Sequence, residues 1–240
     1  FWKACERDEV LQRCARARGG ALLRSSSLFE DVVKTLCTVN CHWRNTKVLV
    51  RRLCERFGET DVTAGGDGVR ASFPDAAVLG RQRVSSLRSI GFGFRSPYIV
   101  EFARMVLAGK IDLDKWEMAK DSLHLRSQLL KLQGFGPYVA GHVLMLLGHY
   151  DFIPCDSEVR VYAGLPATAR GRDVERVMLE RFGPWGQHAF LAYKWRRIFE
   201  GDNYADWEIG KRVMSSEKKG VIRQSRQLGG AKERLLSTAD

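Results

Sequence analysis

The chain has 240 residues, 45% hydrophobic and 10% aromatic, with 39 Lys and Arg against 28 Asp and Glu and a formal charge of +11. That length and apolar share suit one large domain or two lobes around a shared core, and the charge points to a polyanionic partner held in a salt-sensitive way. No apolar run approaches the ~18 residues that span a bilayer, so no membrane association is expected.

The chain begins at Phe1 rather than Met, and a processed or excised form is expected, with any targeting segment out of view. Cys5, Cys14, Cys37, Cys41, Cys54 and Cys155 show neither a CxxC pair nor a zinc-type spacing. Buried free thiols are the expectation, with Cys37 and Cys41 sharing one helical face.

Taken in order, the pattern is helical almost throughout, and no strand-type alternation stands out. Val32, Val33, Leu36 and Cys37 repeat at the spacing of a buried helical face, and Val48 to Phe57 repeats it after a polar interruption. Residues 64–68 (AGGDG) read as a flexible loop, and Phe73-Pro74-Asp75 as the start of another helix. Arg88 to Pro97 is a turn punctuated by glycines, followed by an amphipathic helix from Tyr98 to Leu107. Two helices meet at a turn between Ser122 and Leu147, and two more, Arg172 to Phe182 and His188 to Phe199, close the pattern. After about Asn203 the chain is basic and poor in apolar residues, so 204–240 reads as a loosely ordered tail or a terminal helix. The expected fold class is all-α, with residues 1–203 as the ordered body.

The turn at Gly134-Phe135-Gly136-Pro137 is the most informative stretch. Its two glycines suit a tight turn with positive φ and a close backbone approach to a ligand. Pro137 fits the first position of a helix. The amides of Gly136, Tyr138 and Val139 then face outward at a helix N-terminus, a ready anion site, and on so basic a chain the anion is a nucleic-acid phosphate. His142, one helical turn after Tyr138, shares its side. A lone Asp156 follows in Ile153-Pro154-Cys155-Asp156.

Leu132-Gln133-Gly134-Phe135-Gly136 with Ile153-Pro154-Cys155-Asp156 resembles the helix-hairpin-helix DNA glycosylase superfamily that carries a Gly/Pro-rich loop and a catalytic aspartate (HhH-GPD). The hairpin occupies about 122–147. Two further stretches are similar to the 8-oxoguanine branch. Cys37-Thr38-Val39-Asn40-Cys41-His42-Trp43 puts Asn40 at the gap-filling asparagine. Leu87 to Tyr98 puts Phe94 at an intercalating aromatic, with Arg95 beside it to meet the orphaned base or a phosphate. Gly-Pro-Tyr at the hairpin is instead similar to alkylpurine-directed (3-methyladenine) and mismatch-directed members.

The resemblance implies a two-lobed helical fold, one lobe from about Arg44 to Leu147 and the other joining the N-terminal helices to those after Asp156. Lesion-bearing double-stranded DNA would lie across the cleft. Asp156 would stabilise positive charge on the deoxyribose and steer water. Tyr138 stands where bifunctional relatives carry the lysine nucleophile, which implies a monofunctional glycosylase that releases the base and leaves the strand intact. Tyr138, His142 and Trp43 are expected at the base pocket, with Trp185 and Phe190 as further stacking candidates. Gly134, Gly136, Val139, Asn40, Phe94 and Arg95 are expected to meet DNA. No cofactor is expected to be required and no iron–sulfur cluster is implied. A monovalent Na+ or K+ is implied on the carbonyls of Leu130, Leu132 and Phe135. The expected form is a monomer, in whichever compartment holds DNA. The family's additional N-terminal β-sheet domain is not expected whole in this chain. Two alternatives stay open: a bifunctional lyase with a displaced amine, and a non-catalytic DNA-binding module.

Overall fold

A computed structural model describes residues 1–16, 18–61 and 70–200 of the chain. The expected loop at 64–68 and the tail at 204–240 lie outside these residues.

The described residues are helical with one minimal exception. Helices α1 (Trp2–Cys5) and α2 (Gln12–Arg16) precede α3 (Leu28–Thr38) and α4 (Trp43–Phe57). Two-residue strands β1 (Thr60–Asp61) and β2 (Arg70–Ala71) then pair antiparallel, Thr60 opposite Ala71 and Asp61 opposite Arg70. So short a pairing leaves no alternation to read. It is extended by the Ser72 amide donating to the Glu59 carbonyl at 2.9 Å and the Glu59 amide to Ser72 Oγ at 3.0 Å.

Next come α5 (Ala76–Gly80), α6 (Val84–Ser89), a 3-10 turn at Gly93–Arg95 and α7 (Ser96–Leu107). They are followed by α8 (Leu113–Met118), α9 (Ser122–Leu129) and α10 (Pro137–Leu146). The described chain closes with α11 (Ser157–Tyr162), α12 (Gly171–Phe182), a 3-10 segment Gly183–His188 and α13 (Ala189–Glu200).

Side-chain caps set several of these starts, because the first amides of a helix have no acceptor within it. Ser27 Oγ accepts the Glu30 amide ahead of α3. Asp75, Asp112, Asp121 and Asp156 do the same for the third helical residue of α5, α8, α9 and α11. At the other end of α3, Asn40 adopts φ +46°, a left-handed conformation that stops the helix. Cys41 therefore lies in the loop and not on one helical face with Cys37. All six cysteines are free; Cys5, Cys14 and Cys37 are buried and the other three half-buried.

The helices cluster into two compact units. The larger comprises Gly19–Tyr193 with Phe1. In it α3 packs against α10, α4, α7 and α8, while α5 and α6 pack along α7. Arg104 on α7 ties down the end of α5 by donating to the carbonyls of Gly80 and Gln82 at 3.1 and 3.0 Å. Its centre is aromatic: the Phe102 ring lies 5.6 Å from Phe29, 5.6 Å from Phe135 and 6.3 Å from Trp116.

The smaller unit joins residues 2–18 to α13 from Lys194. There Cys5, Leu11 and Cys14 are buried. Asp8 Oδ1 accepts the Val10 and Leu11 amides at 3.0 and 2.9 Å, and its other oxygen pairs with Arg196.

Phe92, beside the glycines of the 88–97 turn, is fully buried. Phe92→Ala removes a whole ring from a closed site and is expected to destabilise the fold by about 3–5 kcal/mol, read by urea unfolding. A loss under about 1 kcal/mol would show that the turn collapses onto the space.

Candidate functional site: three segments meeting at the end of helix α3

The hairpin is fastened from below and open above. Phe135 at its apex is buried against Phe102, so the backbone on either side is turned outward. Gly134 has φ +85°, and an added Cβ there would sit 2.5 Å from the Tyr98 ring. Gly136 differs from the sequence reading: it is the N-cap of α10 at φ −75°, an ordinary conformation, and a Cβ there meets nothing within 4 Å. Only Gly134 is required by the turn itself. The first amide to bond back is that of Ala140, to the Gly136 carbonyl at 3.0 Å. Among the described residues the amides of Tyr138 and Val139 therefore have no acceptor, which is the outward donor pair expected of a helix N-terminus. Val139 as a whole residue is buried, its side chain packed into the core behind the hairpin.

Helix α10 carries Tyr138 and His142 on one side, as expected, with ring centroids 4.4 Å apart. His142 Nδ1 lies 3.1 Å from the Tyr138 carbonyl. A carbonyl only accepts, so Nδ1 carries a proton. One turn on, Gly141 lets the loop before Asp156 pack directly on the helix: an added Cβ would lie 3.2 Å from Pro154 Cα. Asp156 then caps α11, its Oδ1 accepting the Val159 amide at 2.7 Å. Its second oxygen accepts no hydrogen bond among the described residues. Burial, with the Asp156 charge adding to it, holds the Tyr138 phenol above its ordinary pKa. Burial likewise pushes the Cys155 thiol up to about 12, so it stays a thiol.

The segment Thr38–Asn40 is held from two sides. Thr38 Oγ1 lies 3.0 Å from the Tyr138 hydroxyl. From the other side Arg95 reaches in, Nε donating to the Val39 carbonyl at 2.8 Å and Nη2 to the carbonyls of Val39 and Asn40, the latter at 2.9 Å. Arg95 is only 8% exposed. Its guanidinium is thus turned inward onto the loop, where the sequence reading had it meeting a base or phosphate. Asn40 is exposed at the loop tip. Phe94 stands 47% exposed with the Arg95 guanidinium 4.4 Å from its ring centroid. Asn40 and Phe94 therefore project from neighbouring loops that share one clamp.

The structure does not bring Trp43 to Tyr138 and His142. It occupies the first turn of α4, 68% exposed, three residues beyond Asn40. Its indole is open to solvent and takes part in no ring pairing with either residue. Phe190 is buried in the aromatic cluster with Tyr193, and Trp185 is half-buried.

Sequence reasoning gave no role to Thr38 or Gly141. Gly141 had a signal, an isolated glycine inside a helical pattern that marks close packing. Thr38 had none, since its partner lies one hundred residues away. No group of three or more His, Cys, Asp or Glu side chains suited to a metal occurs among the described residues. No helix among the described residues is long and apolar enough to cross a membrane.

No family model matches the chain. It is 25% identical over 204 residues to the N-glycosylase/DNA lyase of Saccharomyces cerevisiae, covering 71% of this chain and 54% of that protein. It is 30% identical over 162 residues to a probable N-glycosylase/DNA lyase of Methanothermobacter thermautotrophicus, covering 60% of this chain and 51% of that one. The chain thus spans about half the length of these curated relatives. Among solved structures, the 8-oxoguanine glycosylase/lyase of Clostridium acetobutylicum aligns with a TM-score of 0.69 at 19% identity, covering 82% of this chain and 69% of that chain. At that identity the likeness establishes the fold.

The two hairpin glycines should separate cleanly on substitution. Gly134→Ala combines a ring clash with positive φ and is expected to cost at least ~2 kcal/mol of stability. Gly136→Ala should leave the melting temperature within a few degrees while weakening binding to any DNA duplex, because phosphate contacts carry no sequence information. Fluorescence anisotropy with lesion-free and lesion-bearing duplexes checks this; a loss confined to one lesion would place Gly136 at the base and not at the phosphate.

Proposed function

We propose that this chain, which has the fold and the signature motifs of the helix-hairpin-helix DNA glycosylase superfamily, is a monofunctional DNA glycosylase of base-excision repair. It flips a damaged or mispaired base out of the duplex and hydrolyses its N-glycosidic bond. The observation that carries the reading is the packing of the loop before Asp156 on α10 at Gly141. It brings a carboxylate with one oxygen fixed by the α11 cap and the other uncommitted to the helix that carries Tyr138.

The hairpin amides of Tyr138 and Val139 take a backbone phosphate. Phe94 enters the base stack and Asn40 fills the space left by the flipped nucleotide, its amide offering both a donor and an acceptor edge. Departure of the base, taking the C1′–N bonding electrons, builds positive charge on the sugar that Asp156 stabilises. Water closes the C1′–O bond, its proton passes to the carboxylate, and the released base takes a proton from solvent. No amine stands at the position of Tyr138, so nothing there forms a Schiff base and the abasic strand stays intact.

A monovalent cation fits the hairpin. The carbonyls of Leu130 and Phe135 accept no hydrogen bond among the described residues, and that of Leu132 accepts only the Phe135 amide at 3.1 Å. Bound there, it would add positive charge facing the same phosphate.

Duplexes carrying single candidate lesions, with free base quantified and strands analysed with and without hot alkali, test the reading. Wild type should release base from at least one lesion, with nicking only after alkali. Asp156→Asn keeps an acceptor for the α11 cap while removing the charge, and should lose at least about tenfold in release with DNA binding intact. Equal activity removes Asp156 from its role, and a borohydride-trapped adduct with wild type replaces the hydrolytic reading by a lyase. Tyr138→Lys is expected to add strand nicking that borohydride traps.

A further inference from the structure

The Thr38–Tyr138 hydrogen bond has a polarity that its surroundings fix. At the end of α3 the Val39 amide bonds to the Leu36 carbonyl and not to that of Thr35. Thr38 Oγ1 donates to the Thr35 carbonyl, 2.6 Å away. A hydroxyl carries one proton, and two oxygens that close must share one, since two unprotonated oxygens would repel. The Thr38 proton is therefore spent on Thr35. The 3.0 Å contact to Tyr138 is then made by the tyrosine proton, donated to Thr38. What remains on the Tyr138 oxygen is its lone pairs.

We infer that Thr38 is a positioning residue that makes Tyr138 a hydrogen-bond acceptor towards the reaction site, so that the group facing it must bring its own proton. The inference rests on the glycosylase reading and deepens it. Tyr138 neither protonates the departing base nor donates to it. Together with the uncommitted oxygen of Asp156 it presents acceptors alone. Two groups have the matching chemistry: the attacking water, whose two O–H bonds would be held while its lone pair faces C1′, and an amino group on the flipped base. Thr38 also belongs to the segment that carries Asn40, so the orientation of the phenol depends on that segment being in place.

The test is a double-mutant cycle on single-turnover base release, with Thr38→Val, Tyr138→Phe and the pair, and with Thr38→Ser as the conservative control. Thr38→Val keeps the shape and frees the tyrosine proton. A loss of about tenfold is expected, Thr38→Ser should recover most of it, and Thr38→Val should cost nothing more once Tyr138 is Phe. The same loss on every cleaved lesion identifies water as the donor; a loss limited to lesions bearing an amino group identifies the base. Additive losses, or an unchanged rate in Thr38→Val, overturn the inference while leaving the glycosylase reading standing. The polarity is also readable without catalysis, by NMR of the free protein. A slowly exchanging Tyr138 hydroxyl proton with a cross-peak to the Thr38 methyl is expected. A Thr38 hydroxyl proton directed at Tyr138 instead would overturn it even if wild type released no base from any lesion, the result that would sink the glycosylase reading itself.

Discussion

A buried guanidinium with no carboxylate beside it is the constraint on which the rest of the site depends. Arg95 is enclosed, and among the described residues its donors meet only the main-chain carbonyls of Val39 and Asn40. Burying a charge is costly unless its donors are satisfied, and two carbonyls with an adjacent aromatic face are what satisfy them here. The arrangement works only with the α3 end in one conformation. The carbonyls of residues 39 and 40 must turn towards Arg95, which leaves the Asn40 side chain pointing away. The same residues carry Thr38 to Tyr138. Two loops and the hairpin helix are thereby set relative to one another by hydrogen bonds converging on three consecutive residues.

Placing the aspartate needs a second constraint of a different kind. The Ile153–Cys155 loop can lie close to α10 because Gly141 has no side chain to hold it off. Packing sets the distance, and the N-cap of α11 sets the direction by occupying one carboxylate oxygen. The other accepts no hydrogen bond among the described residues. In the proposed function, a residue that starts a helix would thus divide its two oxygens between stability and catalysis.

Much of this was legible in the sequence, for identifiable reasons. Helices with strong apolar periodicity, such as α7 and α12, were visible because burial imposes the pattern along a single segment. The Asp75 start and the hairpin were visible because caps and glycine-proline turns are local chemistry. Asp156 and Asn40 were marked by family motifs. Arg95 was located but given the wrong direction: an arginine next to an intercalating aromatic looks like a DNA contact, and only its distance to the carbonyls of residues 39 and 40 shows it facing inward. Trp43 was assigned by its aromatic character, which says nothing of the side it faces. The Thr38–Tyr138 bond was invisible because it joins positions one hundred residues apart, and no periodicity or cap encodes such a pairing. The pairing of β1 with β2 was too short to leave a pattern.

The burial of Phe135 has a consequence for how the hairpin grips. Because that ring is packed against Phe102 in the central aromatic cluster, the turn belongs to the cooperative core and is not a loop resting on it. The entropy of ordering its backbone is lost when the chain folds, not when a phosphate arrives. A phosphate grip of the kind proposed would thus be preorganised, with no free energy spent on shaping it during association. In the proposed function the hairpin would therefore not let go of DNA by melting locally, and release would come through salt or through loss of the contacts made by the two projecting loops.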